Sequence, residues 1–188
     1  IVQTYHQKEL LRESFGVEST VLSMPCVGFD GPCCSTNPED HIHGPVLWVG
    51  RLAPAKRPHW LINLAPQFPD THFDVVGGVA RGDYGPAVVE KAKAFSNIRI
   101  HGQVDYDEIP TFYRRSALML CTSAYEGFPN TFLEAWSCGL PTVSSFDPDN
   151  LIAEKGLGRV GASVAELAAG IREVLSSPDR WQAASQAA

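Results

Sequence analysis

The sequence lacks any apolar run long enough to cross a bilayer. Its longest unbroken apolar stretch covers residues 117–121, whereas a transmembrane helix needs about 20 apolar residues. No charged and then apolar leader opens the chain, and neither an internal repeat nor a low-complexity tract is present. We therefore expect no membrane-spanning segment. Because the chain opens on Ile1 rather than Met, we also expect it to begin inside a longer protein.

An excess of positive charge is missing as well. The 188 residues include 15 Lys and Arg against 21 Asp and Glu, which gives a formal net charge of −6. Such a chain has no general attraction for nucleic acid or for an anionic membrane, so any phosphate binding must come from a local basic cluster. Hydrophobic residues make up 44% and charged residues 19%, which is typical of a folded globular protein.

The five cysteines lack C-x2-C spacing. Cys121 and Cys138 fall in apolar segments, where a thiol behaves as a small hydrophobe, and the odd count fits a reduced, cytoplasmic setting. A Gly- and Pro-rich stretch nevertheless gathers five residues that could bind zinc, namely Cys26, Cys33, Cys34, His41 and His43. Adjacent cysteines rarely both bind one tetrahedral ion, so a plain loop is favoured over a metal site, which stays an open alternative.

Apolar, strand-like runs alternate with helical patterns from Pro45 onward. The candidate strands cover residues 46–49, 73–76, 98–100, 117–120 and 142–143. This alternation predicts an α/β fold with a Rossmann-like parallel sheet flanked by helices. We expect one domain. Its parts are a lead-in helix, a short strand at 21–22 and a loop within residues 1–44, a core over 45–176, and the start of a C-terminal helix over 177–188.

Capping residues mark where several helices begin. Capping boxes open a helix over residues 5–15, which Gly16 ends, and another over residues 163–175. The residues of the two boxes are Thr4 with Gln7, and Ser163 with Glu166. Asp107 is expected to cap a third, short helix with Ile109, Phe112 and Tyr113 on its inner face.

One segment imitates a dinucleotide-binding fingerprint. Residues 156–161 read Gly-Leu-Gly-Arg-Val-Gly and match G-x-G-x-x-G letter for letter. The motif requires a buried strand directly before the first glycine, yet residues 147–150 and then Glu154 and Lys155 lead into it. We therefore expect a flexible loop there rather than a dinucleotide site.

A basic loop follows the first core strand. Gly50 allows close approach of the backbone, Arg51 offers a planar fork of donors, and Lys56 adds a mobile point charge. In an open α/β sheet, ligands bind beyond the carboxyl ends of the strands, which is where this loop lies. A diphosphate is the ligand that such a pair could hold, although each charge taken alone would more often be a solvated surface residue.

A second loop follows the fourth strand and opens a helix over residues 130–138. The amino end of this helix presents unpaired N–H groups that suit a phosphate. Glu134, one turn deeper, could accept hydrogen bonds from the two hydroxyls of a ribose. One side of the helix can face the sheet through Phe132, Leu133 and Trp136. A second stripe follows from i, i+4 spacing and contains Asn130, Glu134 and Cys138.

Together the two loops carry a resemblance to a known family. The elements are Gly50-Arg51-x4-Lys56, then Glu126-Gly127-Phe128-x5-Glu134-Ala135, then Gly139-x-Pro141. They resemble family 4 glycosyltransferases of the GT-B fold, and the likeness runs over residues 4–175. The resemblance implies that this chain is the C-terminal, donor-binding half of a retaining enzyme, and that the acceptor-binding half lies outside it.

The resemblance also implies roles for individual residues. Arg51 and Lys56 would hold the donor diphosphate, and Glu126 would contact hydroxyls of the donor sugar; these are the expected catalytic residues. The expected donor-binding residues are Gly50, Gln103, Val104, Gly127, Phe128, Asn130, Thr131 and Glu134, with base contacts near Gln103 and Val104. Pro129 departs from many relatives, which carry a glycine whose N–H can reach the sugar.

The implied reaction moves a sugar from a nucleotide-diphosphate sugar to a saccharide or lipid-linked acceptor, without a metal ion or other cofactor. We expect a cytoplasmic enzyme of cell-surface glycan synthesis, with peripheral membrane association of the full-length protein left open. The isolated chain is expected to transfer no sugar without its acceptor half. Two alternatives remain, a non-catalytic nucleotide-binding module and a nucleotide-sugar epimerase of the same fold.

Overall fold

Six parallel strands form the centre of the molecule in the computed structural model, which describes residues 1–26, 28–29 and 38–188. The strands are β1 Val46–Val49, β2 Phe73–Val76, β3 Ile98–Gly102, β4 Leu118–Cys121, β5 Thr142–Ser144 and β6 Gly158–Val160. They lie side by side in the order β3-β2-β1-β4-β5-β6, and every pairing is parallel. The predicted Rossmann-like α/β class is therefore confirmed.

Helices connect and flank these strands. They are α1 Tyr5–Phe15, α2 Glu39–Ile42, α3 Pro58–Leu64, α4 Tyr84–Ala92, α5 Ile109–Arg115, α6 Asn130–Ser137, α7 Leu151–Lys155, α8 Val164–Val174 and α9 Pro178–Ala187. Short 3-10 turns cover Pro54–Lys56, Ala65–Gln67, Tyr106–Glu108 and Pro148–Asn150. None of the helices within the described ranges is long and apolar enough to span a membrane.

The central strands of the sheet are buried on both faces, because alternating side chains point to opposite faces and helices cover each face. On β1, Val46 and Trp48 point into the layer covered by α3, α4 and α8, while Leu47 points into the layer covered by α5 and α6. These side chains are at most 2% exposed. Burying one large apolar side chain contributes about 1.5–3 kcal/mol, so the two layers are the main source of stability.

The first helix begins and ends as the sequence predicts, but its apolar face is not covered. The Thr4 hydroxyl accepts from the Gln7 N–H, Gln7 completes the capping box, and Gly16 ends the helix in a left-handed conformation with φ 64°. Leu10 and Phe15 nevertheless stay 53% and 74% exposed. The strand expected at residues 21–22 is wrong, since Val21 forms only an isolated bridge.

The glycine-rich segment is a strand and not the flexible loop expected from sequence. Gly158–Val160 pairs with β5 at the edge of the sheet. Gly158 has φ 147°, and a Cβ at this position would lie 1.8 Å from the carbonyl oxygen of Thr142, so only glycine fits. The glycines here serve close packing between β5 and β6, and a phosphate-binding turn after a strand is not formed.

Two capping predictions need correction. Asp107 lies inside the 3-10 turn, and Glu108 occupies the N-cap position of α5 without a side-chain hydrogen bond. At α8 the Ser163 hydroxyl accepts from the Glu166 N–H as predicted, whereas the Glu166 carboxylate accepts from Ala162, one residue before the expected partner. The buried inner face of α5, with Phe112 and Tyr113, is confirmed.

The strand order reverses between β1 and β4, which creates a crevice at the carboxyl edge of the sheet. Chain connections leave the two strands in opposite directions there, so the loops that follow them separate and leave room for a ligand. These loops are residues 50–57 after β1 and residues 122–129 after β4. The basic and acidic motifs of the sequence therefore meet at the position where this fold class binds ligands.

Candidate functional site

The loop after β1 is built on close backbone packing at Gly50. Its N–H donates to the carbonyl oxygen of Val76 over 2.9 Å. Gly77 has φ 140°, and a Cβ there would lie 2.0 Å from the Gly50 carbonyl oxygen, so neighbouring loops touch through backbone alone. Arg51 follows directly and its side chain is exposed at this edge. The glycine that this backbone contact needs is Gly77, and the close approach of a ligand at Gly50 stays a prediction.

Two hydrogen bonds to backbone carbonyl oxygens tie this loop to the loop after β4. The Ala124 N–H donates to the carbonyl oxygen of Ala55 over 2.8 Å, and the Thr122 hydroxyl donates to the carbonyl oxygen of Lys56 over 2.6 Å. The same hydroxyl accepts from the indole N–H of the buried Trp48. The sheet core therefore fixes the relative position of the two loops, and with it the position of their charged side chains.

Arg57 is a structural cation that sequence reasoning did not single out. Its guanidinium donates to the carbonyl oxygens of Thr122 and Ser123 and to the hydroxyl of Ser145. Its carbon also lies 3.8 Å from the ring centroid of Trp60. Because these contacts use most of its donors, Arg57 joins the loops after β1, β4 and β5.

Lys56 and Glu126 form the central ion pair of the site. The Lys56 ammonium contacts Oε1 of Glu126, and the side chains are 33% and 15% exposed. The Ser123 hydroxyl donates to the same carboxylate oxygen over 2.6 Å. Such partial burial limits screening by water, so this pair is stronger than an exposed one. The structure thus brings together two of the three predicted catalytic residues, which are 70 positions apart in the chain.

Glu134 lies at the wall of a separate cavity. The Tyr113 hydroxyl donates to its Oε2 over 2.8 Å. Burial, and then the neighbouring Glu134 charge, raise the pKa of the Tyr113 phenol well above its usual value, so the phenol remains a donor. The cavity measures about 170 Å³, and its lining residues are Pro25, Cys26, Tyr106, Asn130, Leu133 and Glu134.

An aromatic cluster that the sequence did not reveal adjoins this cavity, and its Tyr106 ring lines it. Phe29 stacks on Tyr113 at 5.7 Å between ring centroids, and its ring lies 6.1 Å from that of Tyr106. Tyr106 is 64% exposed, which leaves ring surface available to a ligand. The predicted base-contacting residues Gln103 and Val104 lie in the loop just before Tyr106, but among the described residues neither lines the cavity.

The amino end of α6 carries the remaining predicted residues. Pro129 occupies the N-cap position and makes no side-chain hydrogen bond to the helix. Asn130 is exposed at the cavity and Thr131 is half-buried. Phe132 is buried as expected, and Leu133 and Trp136 are half-buried. Cys138 is only 2% exposed, as expected for a thiol that behaves as a small hydrophobe.

The Gly127–Phe128 peptide, which was expected to contact the donor, is hydrogen-bonded within the chain. The Phe128 N–H donates to Oε1 of Gln3 over 2.9 Å, so in this structure it is engaged by the chain itself. The Phe128 N–H is therefore not free to bind a ligand in this structure. This loss adds to that of Pro129, which has no N–H. No local pattern pointed to Gln3, which lies 125 residues away from Phe128.

Three of the five candidate zinc ligands, Cys26, His41 and His43, lie in the described part of the chain. Within residues 1–26, 28–29 and 38–188, no group of three or more candidate ligands comes together. His41 stacks on Trp181 at 4.9 Å, and Cys26 lies at the Glu134 cavity, where burial and then Glu134 raise the pKa of its thiol. Cys33 and Cys34 lie outside the described residues.

Comparison with solved structures shows the fold. The chain is similar to the pneumococcal O-GlcNAc transferase GtfA, solved with UDP and GlcNAc, at a TM-score of 0.74 and 23% identity over 98% of this chain and 39% of that one. It is also similar to the C-terminal domain of a glycosyl transferase group 1 family protein (LpcC) from Francisella tularensis. Here the TM-score is 0.65 at 20% identity, covering 76% of this chain and 80% of that one.

Sequence comparison shows the family. The chain is 28% identical over 151 residues to the glycogen synthase of Mycobacterium tuberculosis, which covers 76% of this chain and 36% of that enzyme, so it spans about a third of the relative's length. Residues 44–177, well over half of the chain, match the family described as glycosyl transferases group 1. The chain therefore belongs to the group 1 glycosyl transferases.

Proposed function

We propose that this chain is the donor-binding domain of a retaining, family 4 glycosyltransferase of the GT-B type. The full protein would transfer a sugar from a nucleotide-diphosphate sugar to a saccharide or lipid-linked acceptor during glycan synthesis. The observation that carries the proposal is the Lys56–Glu126 ion pair, which lies at the reversal of strand order. Family membership supports the reaction type, and the position of the pair supports the donor site.

Positive charge at this edge suits the diphosphate of the donor. A lysine ammonium has three N–H donors, so Lys56 can hold Glu126 and still donate to a phosphate oxygen. The exposed guanidinium of Arg51 and the amino end of α6 add two further sources of positive potential. These groups would offset the charge on the departing nucleotide, and we propose that they do so without a metal ion.

The two carboxylates suit different parts of the donor. Both described contacts of Glu126 use Oε1, so Oε2 can accept from a hydroxyl of the donor sugar. Glu134 accepts from Tyr113 and keeps capacity for the two ribose hydroxyls. The base would then extend towards the loop of Gln103 and Val104, where the exposed Tyr106 ring could stack on it.

The rest of the proposal concerns the setting of the full protein. The buried thiols of Cys121 and Cys138 suit a reduced, cytoplasmic environment. An acceptor would be bound mainly by a part of the protein outside this chain, which spans about a third of its curated relative. Any peripheral contact with a membrane would equally belong to the full-length protein.

Thermal unfolding in the presence of nucleotides tests the proposed function. UDP, GDP and ADP, each with its glucose conjugate, are compared with NAD as a control ligand. A ligand at a hundred times its dissociation constant adds about 2.7 kcal/mol of stability, which should raise Tm by roughly 5–10 °C in a chain of this size. The proposal fails if no nucleoside diphosphate or nucleotide sugar raises Tm, or if NAD raises it more than all of them.

A further inference from the structure

The contact between Gln3 and the peptide of Phe128 links the start of the chain to the loop after β4, residues 122–129, which we call the acidic loop. Gln3 Oε1 accepts from the Phe128 N–H over 2.9 Å in a half-buried setting. The fit continues at Gly127, where a Cβ would lie 2.4 Å from the same oxygen and 3.2 Å from the side-chain nitrogen of Gln7. A side chain at position 127 would therefore have to displace the amide end of Gln3.

Gln3 is itself held in place by its neighbours. Its backbone N–H donates over 2.8 Å to Oε1 of Gln7, the same oxygen that accepts from the Thr4 N–H in the capping box of α1. Its side-chain amide donates to the sulfur of Met24 over 2.9 Å. The carboxylate of Asp149 accepts from the N–H groups of Tyr5 and His6, which fixes the start of α1 against the loop after β5. The acceptor oxygen of Gln3 is thus presented by an anchored turn.

The acidic loop needs this support in its second half. Its first half is tied to the sheet, since Thr122, Ser123 and Ala124 all contact the loop after β1. Beyond Glu126 the chain continues through a glycine, which by itself restricts the backbone little. The Phe128 N–H is the point in this stretch where the structure shows a hydrogen bond to another part of the chain.

We propose that Gln3 is a positioning residue that holds the Gly127–Phe128 peptide and thereby keeps Glu126 in place for the donor sugar. This inference rests on the proposed function. Gln3 acts through the loop, so its effect should fall on the sugar of the donor, which Glu126 contacts, and not on the nucleotide, which is held by Arg51, Lys56 and Glu134. A residue that only stabilised the fold would affect both ligands equally.

The test uses Gln3→Met, which keeps the side-chain length and removes the acceptor oxygen. Gln3→Glu keeps an acceptor for the Phe128 N–H and serves as the rescue variant. Gln67→Met is the matched control, because Gln67 is exposed and contacts Asn63 and Arg172, away from the site. Two quantities are measured, the exchange rate of the Phe128 amide without ligand, and the ratio of the Kd for UDP to the Kd for UDP-glucose.

Gln3→Met should speed exchange of the Phe128 amide by about fivefold to tenfold, the factor expected for one neutral hydrogen bond. If the screen favours another base, the GDP or ADP pair replaces the uridine pair. The Kd ratio should fall by about threefold or more, since part of that hydrogen bond's effect reaches Glu126, while the Kd for the nucleoside diphosphate stays near the wild-type value. Gln3→Glu and Gln67→Met should both behave like the wild type.

Unchanged exchange, an unchanged Kd ratio, or equal loss of affinity for both ligands would each overturn the role of Gln3 and leave the proposed function standing. A wild-type chain that binds neither ligand would overturn the proposed function, and the role of Gln3 in sugar binding would fall with it. The two failures are therefore distinguished by whether the wild-type chain binds the nucleoside diphosphate.

Discussion

Arg51→Ala is expected to weaken binding of the preferred nucleoside diphosphate by about tenfold to a hundredfold, the loss for one charge-assisted hydrogen bond. The exposed Arg51 lies at the carboxyl edge of the sheet on the loop that also carries Lys56. Isothermal titration calorimetry measures the affinity, and circular dichroism checks that the variant is folded. Because an exposed side chain at this position contributes little to the core, the fold should be unaffected.

Two further variants separate a local contact from a change in net charge. Arg12→Ala removes the same charge from α1, where Arg12 pairs with Glu9, and should leave the affinity unchanged. Arg51→Lys keeps the charge but loses the planar fork, so its affinity should lie between those of the wild type and Arg51→Ala. Affinity that is unchanged in Arg51→Ala, or equally reduced in Arg12→Ala, would remove Arg51 from the proposed diphosphate site.

Glu134→Ala should discriminate between ligands that differ only in the ribose hydroxyls. The variant is expected to lose about tenfold or more in affinity for a ribonucleoside diphosphate, since hydrogen bonds to a charged group contribute about 1.5–3 kcal/mol. Its affinity for the 2′,3′-dideoxy counterpart should change little, because that ligand has no 2′ or 3′ hydroxyl that could donate a hydrogen bond to the carboxylate. Calorimetric titration of both ligands into both proteins gives the comparison.

The contact with Tyr113 provides the control for this second variant. Tyr113→Phe removes the donor to Glu134 but leaves the carboxylate in the cavity. It should reduce stability by about 1 kcal/mol and still discriminate between the ribo and dideoxy ligands. If Glu134→Ala weakens both ligands equally, Glu134 serves the fold by pairing with Tyr113, and the ribose would have to be bound elsewhere.

Local sequence patterns were enough to predict most of the sheet and the place of the site. Strands β1, β2 and β4 are four-residue, mainly apolar runs, and their burial follows from that composition. Strand β3 alternates apolar residues with Arg99 and His101 and is only half-buried. The ends of α1 follow from Thr4, Gln7 and Gly16, whose contacts are local. The meeting of Lys56 and Glu126 follows from a general property of parallel sheets, which bring loops after neighbouring strands to one edge.

Features that depend on distant partners could not be predicted in this way. Strand β6 is three residues long with two of them exposed, so its identity comes from pairing with β5 and not from its own composition. The structural role of Arg57 depends on its contacts with Thr122 and Ser145, which lie far away in the sequence. Gln3 meets Phe128 across 125 positions, a separation that no local pattern crosses. The roles assigned to the site residues themselves stay predictions.

The most direct test of the central claim is a crystal structure of this chain soaked with its preferred nucleoside diphosphate. We expect the two phosphates between Arg51, Lys56 and the amino end of α6, and the ribose hydroxyls within hydrogen-bond distance of Glu134. Electron density for the nucleotide at residues 156–161, or at any place away from the carboxyl edge between β1 and β4, would contradict the account.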